Sequence, residues 1–106
     1  MPARADRSLG KTTLAAATVI EKNVTVINPL GVHARPSAMI VQTASKFRAE
    51  IWLIKDGNEV NAKSMLGVMT LAAEMGSVVT VRADGSDEDK AVDAIVRVFE
   101  MRFGER

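Results

Sequence analysis

The chain has no cysteine and no tyrosine, a single tryptophan, a single histidine and three phenylalanines. Without thiols there can be no disulfide and no thiolate metal site, and one imidazole is too few for a histidine-rich ligand set. No metal site is therefore expected. So few aromatics leave little on which the bases of a single-stranded nucleic acid could stack. The formal charge of +1 also argues against a broad nucleic-acid-binding surface. No apolar run approaches the ~18 residues of a membrane-spanning helix, so insertion into a membrane is not expected. The lack of cysteine fits the cytoplasm.

What remains is an ordinary globular composition. The 106 residues are 47% hydrophobic and 25% charged, which suits one domain with a modest core. Residues Met1 to Lys22 read as a flexible N-terminal extension, and residues 23–106 as the folded domain. The apolar run Leu14 to Ile20 follows basic residues, as in a signal peptide, but is at the short limit for one. It could instead form a short packed helix or an added strand. Gly10-Lys11-Thr12 invites a phosphate-loop reading, but Ala5 stands where that motif needs glycine and no strand precedes it.

Beyond the extension, alternation and helical spacing give the order βαββαβα. Val24 to Ile27 alternates and is β-branched, which predicts a strand. A helix is predicted from Ala34 to Phe47, burying Ser37, Ile40, Ala44 and Phe47 and leaving Arg35, Ala38, Met39, Gln42 and Lys46 on its outer side. Ala49 to Lys55 and Glu59 to Asn61 read as a hairpin around Asp56-Gly57. Ser64 to Met75 reads as a second helix ended by Gly76. Val78 to Val81 is a strand, and a last helix starts at Ser86, with Ala91, Ala94, Ile95 and Val98 as its buried stripe. All the helices could lie on one face of a mainly antiparallel sheet, an α+β arrangement.

The most informative segment is Gly31-Val32-His33-Ala34-Arg35-Pro36. His33 falls at or beside the N-cap of the first helix, where free backbone N–H groups and the dipole favour an anion. Gly31 permits positive φ and close approach of another molecule. Arg35 adds a forked cation suited to phosphate oxygens. Pro36 is tolerated because the first turn has no intrahelical N–H bond to lose. The helix end and Arg35 both disfavour the imidazolium, leaving a neutral nucleophile. These residues point to a histidine that handles an anion.

The string Gly31 to Pro36, the serine segment Asn61 to Met69 and the Gly85–Asp89 start of the last helix together resemble HPr, the histidine phosphocarrier family of the bacterial phosphoenolpyruvate-dependent phosphotransferase system. The likeness extends over about Val24 to Phe103. It implies an open-faced β-sandwich, with a four-stranded antiparallel sheet and three helices on one side. It also implies that His33 accepts a phosphoryl group on Nδ1 from Enzyme I and passes it to an enzyme IIA domain. Arg35 would contact the phosphoryl oxygens, and the backbone of Ala34 and Arg35 would receive them. Such a protein is a relay rather than an enzyme, needs no cofactor and works as a monomer in the cytoplasm. Leu30 stands where many sugar-branch members carry asparagine, and Gln42 and Ser45 where enteric members carry lysines. The sugar and nitrogen-regulatory branches therefore both stay open.

Ser64 reads as the N-cap of the second helix. By resemblance it is also a target for regulatory phosphorylation by HPr kinase/phosphorylase, with a transcriptional regulator as a further partner. A phosphate there would add roughly −2 charge to a face that receives acidic partners. The partner-docking surface implied by the likeness comprises Ala38 and Met39 of the first helix with Met65, Leu66 and Met69 of the second. Flexible methionines suit a surface that must fit several partners. The alternative is a regulatory interaction protein of the nitrogen or catabolite-control branch that acts mainly by binding.

Overall fold

The computed structural model describes residues 11–14 and 17–105. Strand β1 is Lys11–Leu14 and β2 is Ala17–Thr25; helix α1 is Ala34–Ala44. Strands β3 (Glu50–Lys55) and β4 (Asn58–Asn61) form a hairpin, followed by helix α2 (Met65–Thr70). Strand β5 (Val78–Asp84), helix α3 (Glu88–Glu100) and a 3₁₀ turn at Arg102–Gly104 complete the chain. The sheet order is β1-β2-β5-β3-β4, and every neighbouring pair is antiparallel. The expected four strands are thus β2-β5-β3-β4, and β1 is added outside β2. The reading of residues 1–10 as extension lies outside the described residues, as do residues 15 and 16 of the apolar run.

Alternation sorts the sheet into two faces. Val79, Val81 and Ala83 of β5 and Ile51 and Leu53 of β3 are buried beneath the helices, together with Ile40 of α1, Val68 of α2 and Val92, Ile95 and Phe99 of α3. The opposite face carries polar groups. There Arg82 donates from Nε to Glu21 Oε2 at 2.7 Å and from Nη1 to Glu59 Oε1 at 3.0 Å. Thr80 Oγ1 donates to Asn23 Oδ1 at 2.7 Å in the neighbouring row. Trp52, opposite Arg82 in the register, is half-buried on this side.

Several element ends differ from the sequence expectation. Strand β2 starts at Ala17 rather than Val24, because a charged residue breaks the visible alternation. Lys22 falls in step with the inward Ile20 and Val24, yet it reaches Asp93 of α3 with Nζ–Oδ1 at 2.7 Å. Helix α1 stops at Ala44, with turn hydrogen bonds from Lys46 N–H to Thr43 O and Phe47 N–H to Ala44 O. Helix α2 has only six residues. The chain leaves it at Ala72, where φ is 51°, so that the Ala73 carbonyl can accept the Val32 N–H at 2.8 Å. Gly76 is therefore not the glycine that ends α2. It lies in a later turn, where its N–H donates to Val26 O at 2.8 Å.

Helix α3 starts at Glu88, two residues after Ser86, and its buried stripe is Ala91, Val92, Ile95 and Phe99. The acids at its start make specific bonds. Asp87 accepts the Arg48 and Ala49 N–H groups, each at 2.9 Å, and Glu88 Oε1 accepts the Gly85 N–H at 2.9 Å. The Asp87 carboxyl is held below its ordinary value of 3.8, first by the Arg48 N–H and then by that of Ala49. Among the described residues no helix is long and apolar enough to cross a membrane.

Candidate functional site

The site is assembled where the β2–α1 connection meets the segment after α2 and the chain's last turn. Gly31 has φ +69°, and a Cβ on it would stand 2.6 Å from the Ala73 carbonyl oxygen. Only glycine permits this approach without movement. The Val32 N–H bond to Ala73 O then anchors the next residue, and Val32 itself is buried. His33 is thereby set as the N-cap of α1, in extended conformation with φ −92° and ψ −164°. Its ring makes no capping bond to the helix, and its side chain is 40% exposed.

The first intrahelical bond runs from Ser37 N–H to His33 O at 2.9 Å. Pro36 has no N–H, so Ala34 and Arg35 carry the two first-turn N–H groups that precede it and have no intrahelical acceptor. Both residues are exposed. Pro36 and Ser37 are buried and hold the first turn against the core. An imidazole, two amides and a guanidinium at a helix mouth can receive a tetrahedral anion.

Two residues absent from the sequence reading complete the site. Glu105 lies 72 positions beyond His33, yet its Oε2 is 2.8 Å from His33 Nε2. Its other oxygen, Oε1, accepts a hydrogen bond from Asn28 Nδ2 at 3.0 Å. Asn28 is fully buried, and the same amide nitrogen donates to Gly31 O at 2.8 Å. The Glu105 carboxyl lies below its ordinary value of 4.5, first because Asn28 donates to it, then because of the His33 hydrogen bond and charge, with Arg35 adding a weaker pull. Glu105 thus adds a carboxylate to the helix end and Arg35 already expected beside this ring. No local signal marks it. Asn28 reads as a turn residue before Pro29, and Glu105 as tail.

Ser64 caps α2, its Oγ accepting the Gly67 N–H at 3.0 Å. On that helix Met65, Leu66 and Met69 are exposed, Leu66 to 74%. Leu30, beside the glycine turn, is also 74% exposed. Helix α1 packs against α2; its Ala38 and Met39 are half-buried, and Met39 also packs on the core. Lys63, just before α2, reaches the turn after α1, where its Nζ donates to Phe47 O at 2.8 Å. Among the described residues no cluster of histidine, cysteine and acids could hold a metal ion.

The model of the PTS HPr component phosphorylation site matches residues 20–101. The chain belongs to the HPr family. The phosphocarrier protein HPr of Xylella fastidiosa is 52% identical over 87 residues, which cover 82% of this chain and 98% of that one. Among solved structures, an HPr from Thermoanaerobacter tengcongensis aligns with a TM-score of 0.78 and 48% identity, covering 81% of this chain and 97% of its own. A second structure from that organism, described as an HPr dimer, aligns with a TM-score of 0.67 and 49% identity, over 77% of this chain and 94% of its own. The HPr fold, an open-faced antiparallel sheet with three helices on one side, is the one described above. Like its family, the chain is a phosphocarrier of the phosphotransferase system, a relay rather than an enzyme.

Proposed function

We propose that His33 is the phosphoryl acceptor, attacking through Nδ1. The observation that carries this reading is the half-exposed imidazole at the α1 N-cap, with its Nε2 engaged by Glu105 at 2.8 Å. The free N–H groups of Ala34 and Arg35 and the Arg35 guanidinium receive the phosphoryl oxygens. Stabilisation by a helix end is modest, about 0.3–2 kcal/mol, which suits a carrier that must release the group again. The donor is phospho-Enzyme I and the acceptor an enzyme IIA domain, both reached in the cytoplasm by a monomeric protein.

These partners dock on the apolar surface of Met65, Leu66 and Met69, extended by Ala38 and Met39. A phosphate on Ser64, added by HPr kinase/phosphorylase, would place negative charge beside that surface and weaken docking; a transcriptional regulator is the further partner of that form.

Incubation with phosphoenolpyruvate and Enzyme I, followed by mass spectrometry, tests the assignment. The wild-type protein gains one acid-labile phosphoryl group, and His33→Ala gains none while keeping its fold. Label on the His33→Ala protein would overturn the assignment. Size-exclusion chromatography with light scattering tests the monomer.

A further inference from the structure

We propose that Glu105 is a positioning residue for phosphoryl transfer: it holds the Nε2 proton of His33 throughout the cycle, so that Nδ1 alone is offered to phosphorus. The inference rests on the reading of His33 as acceptor and adds the residue that selects its reacting atom.

A neutral imidazole carries one N–H and one lone pair, and either nitrogen can hold the proton. An ionised carboxylate only accepts hydrogen bonds. Glu105 Oε2 at 2.8 Å from Nε2 therefore requires the proton on Nε2, which leaves the lone pair on Nδ1. The carboxylate is itself fixed. Oε1 accepts from the buried Asn28 amide, which also clamps Gly31 O, so one amide links the loop before the histidine to the acid that orients it. Phe103 anchors the last turn, buried in the core with its ring edge-to-face on Phe99 at 5.0 Å. The backbone turns back through left-handed Arg102, Phe103 and Gly104, with φ of 56°, 55° and 76°. Arg35 of α1 adds a weaker electrostatic pull on this carboxylate, and the backbone of Glu74, after α2, lies against Gly31.

The transfer then balances with no movement of the Nε2 proton. The Nδ1 lone pair forms the N–P bond, while the bond from phosphorus to the donor's leaving atom breaks and its electron pair departs with the donor. The ring is left cationic, with its proton still on Nε2 beside the carboxylate. Onward transfer breaks the N–P bond, the pair returns to Nδ1, and a neutral ring leaves. Without the carboxylate, part of the population would carry its proton on Nδ1 and have no lone pair to offer. The phosphorylated ring would also lose its Nε2 proton more readily to water, and its leaving group would then be an anion.

Because His33 is the only histidine, nitrogen-15 spectra of its ring report the tautomer directly. In the wild-type protein the Nε2–H form should predominate. In Glu105→Gln the Nδ1–H form should rise, and the rates of phosphoryl uptake and onward transfer should fall roughly ten- to a hundredfold. Glu105→Asp should recover part of both effects, and it replaces the amide variant if that one does not fold. A wild-type tautomer ratio and transfer within twofold of wild type in the tested variant overturn the role of Glu105. If the wild-type protein takes up no label at all, it is the acceptor assignment that fails, and the mechanism assigned to Glu105 falls with it.

Discussion

At Gly31 a side chain and the local backbone cannot coexist. Alanine there would hold φ at +69° and place Cβ 2.6 Å from the Ala73 oxygen, with strain alone costing about 1–3 kcal/mol. Gly31→Ala is expected to lower the urea midpoint accordingly and to slow phosphoryl uptake, since His33 is positioned through this loop. Arg35 is exposed, so Arg35→Ala should leave stability within about 0.5 kcal/mol while slowing uptake by roughly a hundredfold. A rapid-quench comparison with the wild-type protein checks both rates. At this scale the sequence was half legible. Gly31, His33 and Arg35 lie within five positions, and each has a recognisable role at a helix mouth. Asn28 lies only three positions before Gly31, but it reads as a turn residue before Pro29; Glu105 bonds to the cluster from a distance that no spacing rule spans and arrives only because Phe103 is buried and the chain turns back.

Helix α2 shows how far an element's length depends on its neighbours. Its start was legible, because a serine followed by an apolar run is a capping signal, and Ser64 does accept the Gly67 N–H. Its end was not. The periodicity ran on to Met75, but the Ala73 carbonyl is drawn to Val32, and a partner across the fold outweighs one more turn of a short helix. As a result Ala73 is buried and Met75 is exposed, the reverse of what an extended helix would give. Replacing the cap by alanine should cost about 0.5–2 kcal/mol, read as a shift in chemical denaturation. Ser64→Asp restores an acceptor and should recover most of that loss, while weakening the binding of an acidic partner domain in calorimetry.

For the whole molecule, two depressed carboxyls sit at long-range joints. Asp87 ties the start of α3 to the chain entering β3, and Glu105 ties the last turn to the histidine loop. Groups held below their unfolded values of 3.8 and 4.5 stabilise the fold at higher pH. That contribution is lost as pH falls below those values through the folded-state titration. Thermal unfolding should therefore be nearly constant from pH 7 to about 5 and fall below that; Asp87→Asn should lower the neutral-pH midpoint and flatten the acid slope. The layer arrangement was legible because alternation and helical spacing carry through the chain. The extra length of β2 was not, because Lys22 is charged on the inward-facing side and is matched only by Asp93 of α3.

The sheet also separates two signals. Trp52 is the only tryptophan and lies on the face turned away from the helices, in the row of Glu21 and Arg82. The imidazole stands at the head of α1, in the layer behind the sheet. Indole emission therefore registers loss of the strands while remaining blind to the charge state of the carrier. The phosphorylated and free forms can be ranked for stability with one intrinsic fluorophore, and neither needs a label near the chemistry.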